Sequence, residues 1–314
     1  MNSKRKIWLG VGAFVVAGTG AIAAGAADVR SAEVRQPSGL LPGMTAKSAT
    51  DTAIARVSPG GFVLAQHGDH GPAASKEPIK EPVKEPAEGG EGGETKGLDD
   101  LPPDLAFAVR LALLRGHILV GDQLVKQGQW NAALPHFLHP SEEIYGDIKT
   151  ALADHKLAPF EEELKTLVKL VKARKGGNEF ARALKSISDA TATADASLQA
   201  SLADRWASFV MEAAVEAIKT AAGEYENAIA GGRIAKPVEY QDARGFIWEA
   251  ERMIESVAAG LEKKDASALK EIRARLVELK KVFPAAMPPR MPIKDHGAML
   301  ALVSRIELAA SRLM

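Results

Sequence analysis

Hydrophobic residues from about position 101 onward recur at intervals of three and four, the spacing that places them on one face of an α-helix. The same part of the chain is rich in Ala, Leu, Glu, Lys and Arg, which have high helix propensity. No segment alternates between apolar and polar residues for long enough to predict a strand. We therefore predict an all-α fold, a multi-helix bundle of about seven or eight helices, over residues 101–314.

Prolines, glycines and capping residues set the predicted helix boundaries. A first helix is expected from Pro102 or Pro103 to Gly128. A second is expected from Asn131 to about Lys156, with interruptions at Pro135 and Pro140. The remaining predicted helices are one from Pro159 to Gly176, a short one over 180–187, a long one over 198–231, one that starts at Pro237, one capped by Asp265 that runs to Phe283, and a last one over 299–313.

The N-terminus has the pattern of a secretory signal. Lys4, Arg5 and Lys6 precede an apolar run from Ile7 to Ala27 that ends in small residues. The run is rich in Gly and Ala, and its apolar core is shorter than the roughly 20 strongly apolar residues of a spanning helix. We expect export to the periplasm with residues 1–26 removed as a signal peptide. The alternative is an uncleaved segment that anchors the protein.

Residues 27–100 are rich in Pro, Gly and charged residues and show no helical or strand period, which predicts a disordered linker. Lys-Glu-Pro occurs three times in this segment, and its prolines favour extended chain. His67 and His70 lie here beside Asp69, and such a group could capture a divalent ion transiently. The other interpretation is chance composition in a polar linker.

Charge and composition exclude several classes of function. Lys plus Arg and Asp plus Glu both number 40, and this balance argues against nucleic-acid binding and against strong membrane-surface binding beyond a possible N-terminal anchor. The chain has no cysteine, so an exported fold would depend on its packed core rather than on disulfides. Common catalytic motifs are missing, including Gly-x-Ser-x-Gly, His-Glu-x-x-His and the phosphate and dinucleotide loops, and we do not expect an enzyme.

The most distinctive chemistry lies between Pro135 and Gly146, where His136 and His139 stand close to Glu142. Imidazole nitrogen and carboxylate oxygen together suit iron, copper or zinc. We expect His139 and Glu142 to be ligands because residues three apart share a helix face, with His136 next. His117 on the preceding antiparallel helix is a further candidate. Plain helix capping and packing is the alternative, because carboxylates are also favoured at a helix start.

Two carboxylates in the second half of the chain are further candidates. Asp242 and Glu249 are seven residues apart and therefore share a helix face. They could face inward and complete a carboxylate-rich metal site. Alternatively, Asp242 could simply complement the positive end of its helix.

The order His139-Pro140-Ser141-Glu142, followed by Ile144-Tyr145-Gly146, resembles the His-x-x-Glu motif of the imelysin-like family. Phe137 stands where that family usually has glycine. The resemblance implies an exported, all-helical protein involved in iron acquisition. It also implies that His139 and Glu142 are metal ligands.

Together these patterns predict an exported helical-bundle protein that binds a divalent or trivalent metal ion, iron or copper, for uptake or handling in the periplasm. The alternative is a metal-free interaction or scaffold module that presents a groove to a protein partner in the cell envelope. Retention of an ion by the purified protein distinguishes the two.

Overall fold

The structure is a computed structural model, which describes Thr95 and residues 97–314. These residues all belong to one unit, Lys80–Met314. The predicted signal peptide, nearly all of the predicted linker, and its histidines His67 and His70 lie outside the described residues. The all-α prediction is confirmed for the described part of the chain. None of its helices combines the length and the apolar character needed to cross a membrane.

Ten α-helices are present in the described residues. They are α1 (Pro103–Lys126), α2 (Trp130–Ala133), α3 (Pro135–His139), α4 (Tyr145–Asp154), α5 (Glu161–Lys172), α6 (Asn178–Leu202), α7 (Trp206–Ala228), α8 (Pro237–Ser256), α9 (Ala258–Lys280) and α10 (His296–Ala310). A π-helical turn, Pro140–Ile144, joins α3 to α4, and 3-10 turns lie at Leu98–Asp100 and Ala203–Arg205. Two short antiparallel strands, β1 (Ile229–Ala230) and β2 (Arg233–Ile234), connect α7 to α8.

Helix α1 forms the centre of the bundle. Every residue from Leu105 to Leu114 is buried, as expected for a helix that is surrounded by others rather than lying at the surface. Helices α7 and α8 pack against each other and against α1, while α10 packs against α7 and α9. Helices α3 and α4 also contact α1, and α5 pairs with α6.

Glycines allow α1 and α8 to cross at very short range. A Cβ atom on Gly245 would lie 2.3 Å from the carbonyl oxygen of Gly116, and one on Gly116 would lie 2.6 Å from Cδ1 of Phe246. A third glycine, Gly121, allows α3 to approach α1, since its Cβ would lie 2.8 Å from Cε2 of Phe137. Any larger residue at the α1–α8 crossing would meet backbone, so the two helices could approach this closely only with glycine there.

Proline and capping signals predicted several boundaries correctly. Helices α1, α3 and α8 have proline as their first residue, at Pro103, Pro135 and Pro237, and Pro140 marks the change from α to π geometry. Asp265 interrupts α9 with extended backbone, and its Oδ1 accepts a hydrogen bond from the backbone N–H of Ala268 at 2.9 Å, as an N-cap does.

One predicted break is wrong. The sequence predicts separate helices over 180–187 and 198–231, whereas α6 is continuous to Leu202 and the chain breaks at 203–205. The intervening residues are small and polar, so their sequence shows only a weak helical period. They nevertheless form a packed part of α6, in which Thr191 and Ala194 are buried. The actual break is at Ala203, whose φ of 48° is left-handed. The packed core also begins earlier than predicted, because Leu98 is buried within it.

Candidate metal site

Three side chains from three helices converge in the core. They are His117 of α1, His136 of α3 and Asp242 of α8, with relative exposures of 0%, 0% and 1%. Asp242 Oδ1 lies 2.7 Å from Nδ1 of His117 and 2.7 Å from Nδ1 of His136. One ligand atom from each residue lies within 4.8 Å of the other two. We call these three residues the His–Asp cluster.

His139 borders the His–Asp cluster on the other side of the carboxylate. Its Nδ1 lies 3.9 Å from Oδ2 of Asp242, and its ring centroid is 5.2 Å from that of His117. His139 is the last residue of α3, directly before the π-helical turn, and only 5% of it is exposed. Turns of π-helix occur often at functional sites. His139 therefore lies next to the three clustered residues without being one of them.

The glycine contacts explain why these residues meet. His117 follows Gly116 in α1, and Asp242 stands one turn before Gly245 in α8, so the close crossing of the two helices brings the imidazole to the carboxylate. Gly121 lets α3 approach α1 closely enough to add His136, whose Cβ lies only 3.2 Å from the place that a Cβ on Gly121 would occupy.

Gln241 completes the surroundings of His136. Its Oε1 lies 2.9 Å from Nε2 of His136, and the side chain is almost fully buried. A histidine that binds a metal commonly donates the N–H of its other ring nitrogen to such an acceptor, which fixes the orientation of the ring. No sequence pattern points to Gln241 apart from its position next to Asp242.

Two opposing effects act on the Asp242 carboxyl. Burial raises its pKa, but the charges of His117 and His136 and their hydrogen bonds outweigh burial and hold the pKa of Asp242 below its usual range. The carboxyl is therefore ionised in the core, in a form that can bind either imidazolium or a metal cation.

The donor set fits a borderline metal ion after a small adjustment. Imidazole nitrogens and a carboxylate oxygen are suitable ligands for iron, copper and zinc. The 2.7 Å contacts to Asp242 are hydrogen-bond distances. Donors bonded at about 2.1 Å to a tetrahedral ion stand roughly 3.4 Å apart, so the imidazoles and the carboxylate would have to separate by about 0.7 Å.

Two of the predicted ligands are not part of the His–Asp cluster. Glu142 lies in the π-helical turn and is exposed. Glu249 is buried but belongs to an ion-pair network, in which it accepts hydrogen bonds from Arg115 Nε at 2.6 Å and Arg252 Nη2 at 2.6 Å. The structure thus places His117, His136, His139 and Asp242 together, without Glu142 or Glu249.

The fold and the site define an all-α bundle with a buried histidine–carboxylate cluster. Residues 203–314 match a family model described as the iron permease-associated 4-helix bundle domain. The matched region covers α7 to α10 and includes Asp242, whereas the three histidines of the site lie before it. No curated protein matches the chain, and no solved structure does. The match covers less than half of the chain, and the imelysin-like resemblance stays a prediction.

Proposed function

We propose that this protein binds a metal ion at the His–Asp cluster, with His139 as a fourth donor, as part of an iron-uptake system. The observation that carries the proposal is the convergence of three ligand atoms, within 4.8 Å, in a buried position supplied by three different helices. Buried ionised groups are costly unless they are paired or bind a metal. A buried carboxylate surrounded by imidazoles is therefore expected either to be paired with them or to bind a metal ion.

Two or three imidazoles and one carboxylate suit iron and copper, and zinc shares this donor chemistry. The match of 203–314 to an iron permease-associated domain favours iron. The protein binds and transfers the ion rather than catalysing a reaction on it. The basic and apolar N-terminal pattern supports a periplasmic location, where a protein partner in the envelope would receive or deliver the ion.

A metal-free scaffold is the second candidate, and one observation favours it. Asp242 contacts both imidazoles at hydrogen-bond distance, so the carboxylate already links α1, α3 and α8 without an ion. In that case the cluster would only stabilise the bundle, and the protein would act through its surface.

Calorimetric titration of the full chain with ferrous ion under anaerobic conditions, and with ferric, cupric and zinc ions, separates the two candidates. The test variants are His117→Gln and Asp242→Asn, which keep side-chain volume, and the matched control is His296→Ala, a histidine at the start of α10. His67→Ala/His70→Ala is included in every protein so that the predicted linker site does not contribute. Stoichiometric binding that is kept in the control and lost in the test variants supports the proposal. Absence of binding, or equal binding by all variants, contradicts it.

Location is tested separately by fractionating cells that express the full chain or a chain without residues 2–26. Export of the full chain alone is the expected result. Retention of both chains in the same compartment would contradict the periplasmic proposal.

A further inference from the structure

The His136 ring is held at both of its nitrogens by consecutive residues of α8. Nδ1 lies 2.7 Å from Asp242 Oδ1, and Nε2 lies 2.9 Å from Gln241 Oε1. All three side chains are buried, with exposures of 1% or less. The ring therefore has little freedom to turn, and each nitrogen has one defined neighbour.

The orientation of the Gln241 amide is set from its outer side by a sulfur atom. Gln241 Nε2 lies 3.7 Å from Sδ of Met287, which can accept a hydrogen bond but cannot donate one. The amide nitrogen therefore faces the thioether, and the carbonyl oxygen faces His136. Because a carbonyl oxygen only accepts, Nε2 of His136 must carry a hydrogen and donate it. Nδ1 also carries a hydrogen, donated to the Asp242 carboxylate, as long as no metal is bound, and it must release that hydrogen to coordinate an ion.

Met287 is itself held in place by the segment that carries it. This segment, residues 284–295, lies between α9 and α10 and is fixed to the bundle by hydrogen bonds at both ends. The hydroxyl of Tyr240 donates to the carbonyl of Ala285 at 3.2 Å, and the hydroxyl of Tyr225 donates to the carbonyl of Lys294 at 2.6 Å. The thioether is thus a fixed support for the amide, although 43% of Met287 is exposed.

From this geometry we propose that Gln241 is a positioning residue, which makes His136 bind the metal through Nδ1 and keeps the hydrogen on Nε2. The inference rests on the proposed function and adds to it the coordinating nitrogen and the residue that selects it. Removing an acceptor that orients a metal-binding histidine typically weakens metal binding by about 10-fold to 100-fold.

The first test measures zinc affinity of the full chain, with zinc as a redox-inert probe. Gln241→Leu removes the acceptor at similar size, whereas Gln241→Glu keeps an oxygen in the same place. We expect an affinity loss of about 10-fold to 100-fold for the leucine variant and a value close to wild type for the glutamate variant. Met287→Leu, which keeps the apolar support, should remain within a few-fold of wild type. Equal affinity of wild type and Gln241→Leu would overturn the inference.

The second test reads the ring directly, by nitrogen-15 NMR of wild-type His136 before and after zinc is added. Hydrogen on Nε2 in both states, with a zinc-dependent shift at Nδ1, is the expected result, and coordination through Nε2 would overturn it. The spectrum of the metal-free protein tests the orientation even if no ion binds, which keeps failure of this inference distinct from failure of the proposed function. If Gln241→Leu does not fold, the glutamate variant and the spectrum decide.

Discussion

At the scale of single residues, His139 and Glu142 distinguish the site seen in the structure from the His-x-x-Glu motif seen in the sequence, which contains both residues. His139 is almost fully buried, 3.9 Å from Asp242 Oδ2, whereas Glu142 is exposed. We expect His139→Ala to weaken zinc binding by at least about tenfold, the lower end of the range for residues that orient ligands, and Glu142→Ala to leave it unchanged. Calorimetry on the two variants measures both effects. A loss for Glu142→Ala as large as that for His139→Ala would contradict the structural site.

Residue chemistry was enough to select the histidines and Asp242, but not to show that they meet. Metal-ligand residue types are visible in any sequence, and they make these four residues candidates. Their meeting depends on the α1–α8 crossing, which joins residues more than a hundred positions apart and leaves no local pattern. Gln241 was missed because a glutamine beside an aspartate has no periodic signature. The ion pairs of Glu249 with Arg115 and Arg252 could not be predicted either, since Arg115 reaches Glu249 only through tertiary packing.

At the scale of helices, the α1–α8 crossing should be the most sensitive point of the fold. A Cβ on Gly245 meets the backbone oxygen of Gly116 at 2.3 Å, and backbone can yield only if the helices separate. We expect Gly245→Ala to destabilise the protein by about 1–3 kcal/mol or more, as overpacking does, and to weaken metal binding by moving Asp242 away from His117. Urea denaturation and zinc titration measure the two effects.

The matched control is Gly223→Ala in α7, at an exposed helical glycine where an added Cβ would meet nothing within 4 Å. Alanine there should stabilise the protein by about 0.5–1 kcal/mol, because glycine is a poor helix former. If Gly245→Ala behaved like this control, the crossing would not be as close as the structure shows.

An ion pair between α8 and α9 should give a pH-dependent contribution to stability. Arg273 donates two hydrogen bonds to Glu255, at 2.7 Å and 2.5 Å, and these lower the pKa of the Glu255 carboxyl. A carboxyl with a lowered folded-state pKa stabilises the fold above its unfolded pKa, and the stabilisation is lost as pH falls through the folded value. Both side chains are 43% exposed, so solvent limits the effect to roughly 0–1 kcal/mol.

Glu255→Gln should therefore lower the free energy of unfolding slightly at pH 7 and have a smaller effect at about pH 3, because the stabilisation fades as the pH falls below the ordinary pKa of a glutamate and through the lowered folded-state pKa. Urea denaturation of both proteins at the two pH values measures the difference. A difference that grew as the pH fell would contradict this assignment.

Helix boundaries could be predicted where a residue type forces them. Pro103, Pro135, Pro140 and Pro237 acted through a fixed φ and a missing N–H, and Asp265 through its side-chain cap. The break at Ala203 could not be predicted in this way, because alanine favours helix and no residue type at this position calls for its positive φ of 48°.

At the scale of the whole molecule, the site joins two parts of the chain with different relationships to known proteins. Helix α8 belongs to the region that matches the iron permease-associated domain, whereas α1 and α3 lie before it. The matched region therefore supplies the carboxylate, and the preceding helices supply the imidazoles. An ion bound between them would connect both parts, so metal binding and stability of the bundle should be coupled.

Coupling of this kind predicts a large thermal shift. A ligand that binds only the folded state stabilises it by about 2.7 kcal/mol at roughly 100 times its Kd. For a helical domain of this size that corresponds to a rise in Tm of about 5–10 °C. Differential scanning calorimetry of the full chain with zinc, and again after a chelator is added, should show the rise and its reversal. Asp242→Asn should remove the rise whatever its own Tm, because its donor set lacks the charge that holds the cation. A wild-type Tm that does not change with zinc, or a rise that persists in Asp242→Asn, would contradict this prediction. Either result would mean that no ion joins α1, α3 and α8, and that the Asp242 carboxylate only stabilises the fold.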